Sequence, residues 1–249
     1  MTTELYKKIE QYMLNCMKDS AHDKEHIYRV LYMALDIAKT ENDADKNESL
    51  KELNRTNQIN MDVLIIACLL HDIGREEQFK NPKVCHARFG SEKAYHYLRN
   101  IGVEEEMALH IRDCILTHRF RNDNLPASIE AKILFDADKL DVAGTLGIAR
   151  TFSYKAQVLE PLYSLDEKGE VLDGTYDVTP SFFQEYKFKL EKLYDKFYTQ
   201  RGTQIAKERQ ASAVSFYTSM LQELRACYSI GTEELRKNIN FDCEKNKTE

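Results

Sequence analysis

The sequence predicts an all-α protein. Glycine and proline are scarce, at 9 and 4 among 249 residues. A sandwich or barrel would need a turn about every 8–12 residues. Apolar residues instead recur three and four positions apart through most of the chain, the spacing of one helix face. A hydrophobic share of 43% beside 31% charged residues suits a folded globular chain and is too apolar for a disordered one.

Taken in order, Leu5, Ile9, Tyr12, Met13 and Cys16 make a first apolar stripe, and Ile27, Val30, Leu31, Ala34, Leu35 and Ala38 a second. Lys39–Asn60 is polar and reads as a long connection or an insertion. Met61–Ile73 is apolar nearly all round until His71, so this helix is expected to be central and buried. Gly74 follows at once and is expected to be a left-handed C-terminal cap. Ser91–Ile101 and Val103–His118 read as helices separated by Gly102, and Ala127–Val142 as another entered through Pro126 and Ser128. Between Tyr154 and Thr179 the glycines, prolines and aspartates predict loops, with short strands over Glu170–Val178. Helical spacing resumes at Ser181, through Phe183, Tyr186, Leu190, Leu193, Tyr194 and Phe197, and again over Ile205–Leu224. The polar tail from Asn238 is expected to fray.

Composition excludes several functions. The longest apolar run, Val63–Leu70, is far too short to span a bilayer. The N-terminal ten residues mix acids and lysines and lack the apolar stretch of a signal peptide. Six cysteines are scattered with no C-x-x-C pair, and Cys68 and Cys114 lie among Ile and Leu as small hydrophobes. These features predict a cytoplasmic protein without a membrane partner. A net charge of −6 argues against a nucleic-acid polymer as partner.

The chemistry is carried by a few polar residues. His71-Asp72 ends the most hydrophobic helix, where packing gives no reason for two ionisable groups. Burying them unpaired costs several kcal/mol, roughly, and a bound cation would give both a partner. Taken alone, the pair could equally be a histidine favouring a helix C-terminus beside a solvated aspartate. It is not alone: His26 lies in H-I-Y-R-V on an upstream amphipathic helix, and Asp138 in D-A-D-K-L-D on a later one.

In this order, H-I-Y-R-V, L-L-H-D-I-G and D-A-D-K-L-D resemble the HD superfamily of metal-dependent phosphohydrolases. The likeness covers about Leu14–Ala149, and the regions Gly147–Phe152 and Tyr186–Arg209 are similar to one bacterial branch of uncharacterised HD proteins. The resemblance implies an HD-type helical bundle over residues 1–150, with 151–249 a loop-rich segment and C-terminal helical extension packed on it. It implies a metal held by His26, His71, Asp72 and Asp138, with His71 and Asp72 carrying the catalysis. Two imidazoles and two carboxylates suit a divalent transition metal, Fe, Mn, Co, Ni or Zn.

His86 and His118 match in order the histidines that hold a second ion in the two-metal branches, where Asp72 would bridge. Taken singly, each could be a capping or helix-end residue. Two ions would clamp an in-line displacement at phosphorus by activated water. No covalent nucleophile motif is evident. Arg29, Arg75, Arg119, Lys139 and His22 are expected to meet substrate oxygens, His22 sharing a helix face with His26. His96 and His110 read as ordinary surface or core residues.

The cyclic-dinucleotide branch carries paired histidines where this chain has only His118, together with a G-Y-P element missing here. The acidic pair of the alarmone-hydrolase branch is broken by Arg75. By elimination the expected substrate is a smaller phosphorylated molecule, a nucleoside phosphate or dinucleoside polyphosphate. Two other readings fit the same residues: a non-catalytic module binding nucleotide and metal, and a di-iron oxygenase.

Overall fold

In the computed structural model, residues 1–17, 24–44, 58–119 and 124–239 are described. The described residues are mostly helical, with no strand among them. Two compact units form: Met1–Ala143 with Tyr194–Glu208, and Gly144–Leu193 with Arg209–Glu249.

The first unit contains α1 (Thr3–Cys16), α2 (Lys24–Ala44), α3 (Met61–Leu70), α4 (Arg75–Lys80), α5 (His86–Asn100), α6 (Glu105–Thr117) and α7 (Ile129–Leu140). Helix α3 is its axis and touches α1, α2, α5, α6 and α7. From Ile66 to Leu70 every residue is fully buried. A short helix apolar on all sides has no polar face to offer water, so the others wrap it. It starts where Asn60 Oδ1 accepts from the amides of Asp62 and Val63, and α7 starts where Ser128 Oγ accepts from Ala131. Helix α2 runs to Ala44, six residues into the stretch expected to be a connection.

Gly74 is not the left-handed cap expected of it, because its φ is −94°. Its reason is proximity. A Cβ there would lie 2.4 Å from the His86 carbonyl oxygen and 2.7 Å from the Gly90 amide nitrogen. The missing side chain lets the start of α5 close against the end of α3. Helix α5 also begins at His86, five residues before the expected start, so that histidine is helical rather than pre-helical.

Residues 194–208 join the first unit through Asp136. Its buried carboxylate accepts from the amides of Tyr198 and Thr199 and from the Thr199 hydroxyl, just before α10 (Gln200–Asn238) begins. Gly202 leaves room for it, since a Cβ there would sit 2.6 Å from Asp136 Oδ2. The continuous helical spacing expected over 181–197 breaks down: a four-residue α9 (Phe182–Glu185) runs into a π-turn (Tyr186–Leu190), and 191–199 is irregular.

The second unit also holds α8 (Gly144–Gln157) and gathers aromatic rings. Phe182, Phe183 and Tyr186 are buried, and Tyr217 of α10 stacks on Tyr186 at 4.1 Å between centroids. The strands expected over Glu170–Val178 do not form. That stretch holds only an isolated bridge, Leu165 to Val171, between turns pinned by Asp166 and Asp177 side chains. The tail expected to fray lies outside the described residues beyond Ile239.

Candidate metal centre

Helix ends converge on one place in the first unit. His71 caps the C-terminus of α3 and Asp72 follows it; His118 caps the C-terminus of α6. Asp138 lies in the last turn of α7, whose C-cap is Asp141. His86 opens α5 and His26 lies in the first turn of α2. His26, His71, Asp72, His86 and His118 are all 4% exposed or less. The Asp138 side chain, at 24%, marks the open side.

The donor atoms fall into two clusters. His26, His71 and Asp138 form one, and Asp72, His86 and His118 the other, each with ligand atoms within 4.8 Å of one another. His26 and His71 approach through Nε2 at 3.3 Å, and so do His86 and His118. Asp72 stands between the clusters and offers one oxygen to each. Oδ2 is 3.5 Å from His26 Nε2 and 3.8 Å from His71 Nε2; Oδ1 is 3.4 Å from His86 Nε2 and 3.7 Å from His118 Nε2.

What lies behind each ring decides its tautomer. His71 Nδ1 meets the Cys68 carbonyl at 2.8 Å, and His118 Nδ1 the Ile115 carbonyl at 2.6 Å. A carbonyl only accepts, so both Nδ1 atoms carry the proton. Both carbonyls lie three residues back at a helix end, where acceptors are left over, and that of Ile115 also takes the His118 amide at 3.4 Å. His26 Nδ1 donates to Asp141 Oδ2 at 2.7 Å, and His86 Nδ1 to Gln78 Oε1 at 2.6 Å. Gln78 Oε1 also accepts from Arg75 Nη1 at 3.3 Å, which fixes the amide's orientation. All four Nε2 atoms therefore turn inward, and on His26 the inward nitrogen carries a second proton that an incoming cation would displace. Such backing is what holds imidazoles in place as metal ligands.

The electrostatics favour a cation. Burial pushes His71 down to about 4 and His86 down to about 2, so both stay neutral. Burial also disfavours charge on His26, but the carboxylates of Asp138, Asp141 and Asp72 outweigh it and raise that ring to about 11. Against burial, Asp72 is held well below the usual carboxylate range by Arg75 and His71, and Asp138 is held low chiefly by His26. Asp72 Oδ2 is buried and accepts no hydrogen bond. A buried carboxylate oxygen without a donor costs about 1–3 kcal/mol or more, which a coordinated ion would offset. The donor set, two imidazoles and carboxylate oxygen at each cluster, fits a divalent transition metal.

The proposed substrate residues are distributed unequally. Arg29 is paired with Asp141, Nε to Oδ1 at 2.7 Å, and Arg75 with Asp72, Nε to Oδ1 at 2.9 Å. Both remain about a quarter to a third exposed, at 31% and 26%. Lys139 sits with its ammonium 4.3 Å from the centre of the Phe135 ring, and burial lowers it to about 8. Arg119, beside His118, reaches Cys85 Sγ at 3.8 Å. His22 lies outside the described residues. His110 pairs with Glu130 at 3.1 Å and His96 packs on Tyr95, both away from the clusters. Sequence reading missed Asp141 and Gln78. Asp141 carries a signal, being the third acid of D-A-D-K-L-D and three residues past Asp138 on one helix face. Gln78 carries none.

A helical unit whose helix ends bring a His-Asp pair, a preceding histidine and a following aspartate together defines the HD class. Residues 24–143 match the family model of the HD domain, and this part of the chain belongs to the HD superfamily. Its relatives include the uncharacterised protein YpgQ of Bacillus subtilis, 26% identical over 211 residues, or 83% of this chain and 86% of YpgQ. A solved HD-superfamily hydrolase from Bacillus thuringiensis is 27% identical, with a TM-score of 0.63, over 88% of this chain and 96% of its own. The YpgQ structure in complex with ADP shares the fold, with a TM-score of 0.61 and 22% identity over 96% of each chain. No described helix is long and apolar enough to cross a membrane.

Proposed function

We propose that this protein is a divalent-metal-dependent phosphohydrolase that cleaves a phosphate ester or anhydride of a small nucleotide-like molecule. The observation that carries this reading is the Asp72 carboxylate set between two clusters of inward-facing donors, one oxygen toward each. A divalent ion held there would supply Lewis acidity and lower the pKa of water. His26, His71, Asp72 and Asp138 would hold one ion, and Asp72, His86 and His118 a second.

The chain's own groups do the rest. Asp72 and Asp138 stay ionised, so positive charge can be held without a proton being lost first from them. Arg29, paired with Asp141, Arg75, paired with Asp72, and Lys139, next to Asp138, are suited to phosphate oxygens, with Arg119 and His22 as further candidates. The arginines do not titrate in the working range, so their attraction for phosphate is constant. Two relatives above 25% identity carry the description hydrolase, one of them as a prediction, which supports hydrolysis, and the ADP bound to YpgQ supports a nucleotide-sized ligand. Residues 1–150 would form the catalytic part and 151–249 its extension.

The test is phosphate release from a panel of nucleoside phosphates and dinucleoside polyphosphates, with Mn, Co, Fe, Ni or Zn loaded in turn. Turnover with at least one metal is expected, and loss of that turnover in Asp72→Ala. Tight ADP binding with no release on any metal would favour a non-catalytic module instead. Oxygen consumption on reduced iron would favour an oxygenase.

A further inference from the structure

The two clusters share Asp72 but differ in charge around them. The His26 side holds more carboxylate. Asp138 is 3.3 Å from His26 Nε2, and Asp141 backs the same ring at 2.7 Å. Of the cations on that side, Arg29 lies behind Asp141 and is paired with it, and the Lys139 ammonium rests on the Phe135 ring. The His86 side is cationic. Among the described residues its carboxylate oxygen is Asp72 Oδ1, which already accepts from Arg75 Nε at 2.9 Å. Arg75 also bonds Gln78 Oε1, the acceptor that orients His86. Behind His118 is a neutral carbonyl rather than an acid. Arg119 adds positive potential at His86.

A guanidinium is a permanent charge, so the second cluster presents a fixed cation to any arriving ion. Charge counting makes the same point. Asp72, Asp138 and Asp141 carry three negative charges, and Arg29, Arg75 and Lys139 offset them. One divalent ion is then already enough to leave the pocket positive. A second needs an incoming anion, which can also draw the half-open Arg75 away from Asp72.

We propose that the clusters fill in order: His26, His71 and Asp138 hold the resident ion, and Asp72, His86 and His118, guarded by Arg75, take theirs together with the anionic substrate. The idea rests on the metal-dependent reading above and adds its regulation, with Arg75 coupling substrate arrival to the second ion.

The test is a Mn²⁺ titration of the full chain, following free Mn²⁺ by electron paramagnetic resonance, with and without inorganic phosphate. Wild type should bind one ion tightly alone. Phosphate should tighten the second by about 5- to 150-fold, the range typical of coupled ligands. Arg75→Gln should bind the second ion about tenfold or more tightly without phosphate, because the competing charge is gone. Arg75→Lys keeps the charge and should still need phosphate. His118→Ala should lose the second ion and keep the first. Spin coupling between two Mn²⁺ ions should appear only when phosphate is present or Arg75 is neutralised. Two equally tight ions in wild type without phosphate, no effect of phosphate, or an Arg75→Gln protein titrating like wild type would each overturn the proposal. A wild-type chain that binds no Mn²⁺, Co²⁺ or Zn²⁺ at all would instead sink the metal-dependent reading itself.

Discussion

Asp141→Ala is the sharpest probe of the first cluster, because Asp141 touches one donor ring and its distance to that ring is short. Its Oδ2 accepts from His26 Nδ1 at 2.7 Å, and its carboxylate is only 3% exposed. Removing it frees the ring to rotate or change tautomer, so Nε2 no longer faces His71 and Asp138. Supports of this kind are worth about 10- to 100-fold in metal affinity, or about 1.4–2.8 kcal/mol. Arg29 also loses its partner, but at 31% exposed it can turn to water, so its share of the loss is small. Asp141→Asn keeps an oxygen for the Nδ1 proton and should recover most of the affinity. The assay is competition for Co²⁺ against a chromophoric chelator, with the visible spectrum of bound Co²⁺ reporting ligand geometry. Both the affinity and the spectrum should change in Asp141→Ala. If affinity and spectrum stay at wild-type values while only the melting temperature falls, Asp141 is a packing residue and the reasoning about His26 is wrong.

Two further outcomes follow from the same geometry. Gly74→Ala forces a methyl to within 2.4 Å of the His86 carbonyl. It should cost about 1–3 kcal/mol in denaturant unfolding and weaken metal binding with it, since His86 moves with α5. A folded protein of wild-type stability would show that the close approach is not real. Metal added to the chelator-treated chain at about 100 times its dissociation constant should stabilise by about 2.7 kcal/mol. For a chain of this size that is a rise of roughly 5–10 °C in melting temperature, read by calorimetry.

The class of fold was legible because burial writes a period into the sequence. Helix α3 is the clearest case: ten residues with no polar face can only be central, and the structure wraps them on all sides. His71 and Asp72 were legible for the complementary reason, since ionisable groups joined to such a helix need partners. Conformation at single residues was less so. A glycine after a helix looks the same whether it serves a positive φ or a close approach, and Gly74 is the second kind. Glu170–Val178 has the composition of a strand but no neighbouring segment long enough to pair with. Its aspartates bond local amides instead, and turns win.

Least legible was the pairing of charges. Arg29, Arg75, Asp138 and Asp141 all resemble solvated surface residues when read singly, because charge carries no period. Only the fold brings Arg29 against Asp141 across 112 positions, and sets Arg75 on the one Asp72 oxygen that serves the second cluster. These pairs turn a symmetric-looking list of His and Asp donors into an unequal site, with more carboxylate on the His26 side and a guanidinium seated on the carboxylate of the His86 side. Motif order could suggest how many ions the donors suit. The order in which they enter depends on cations that no motif contains.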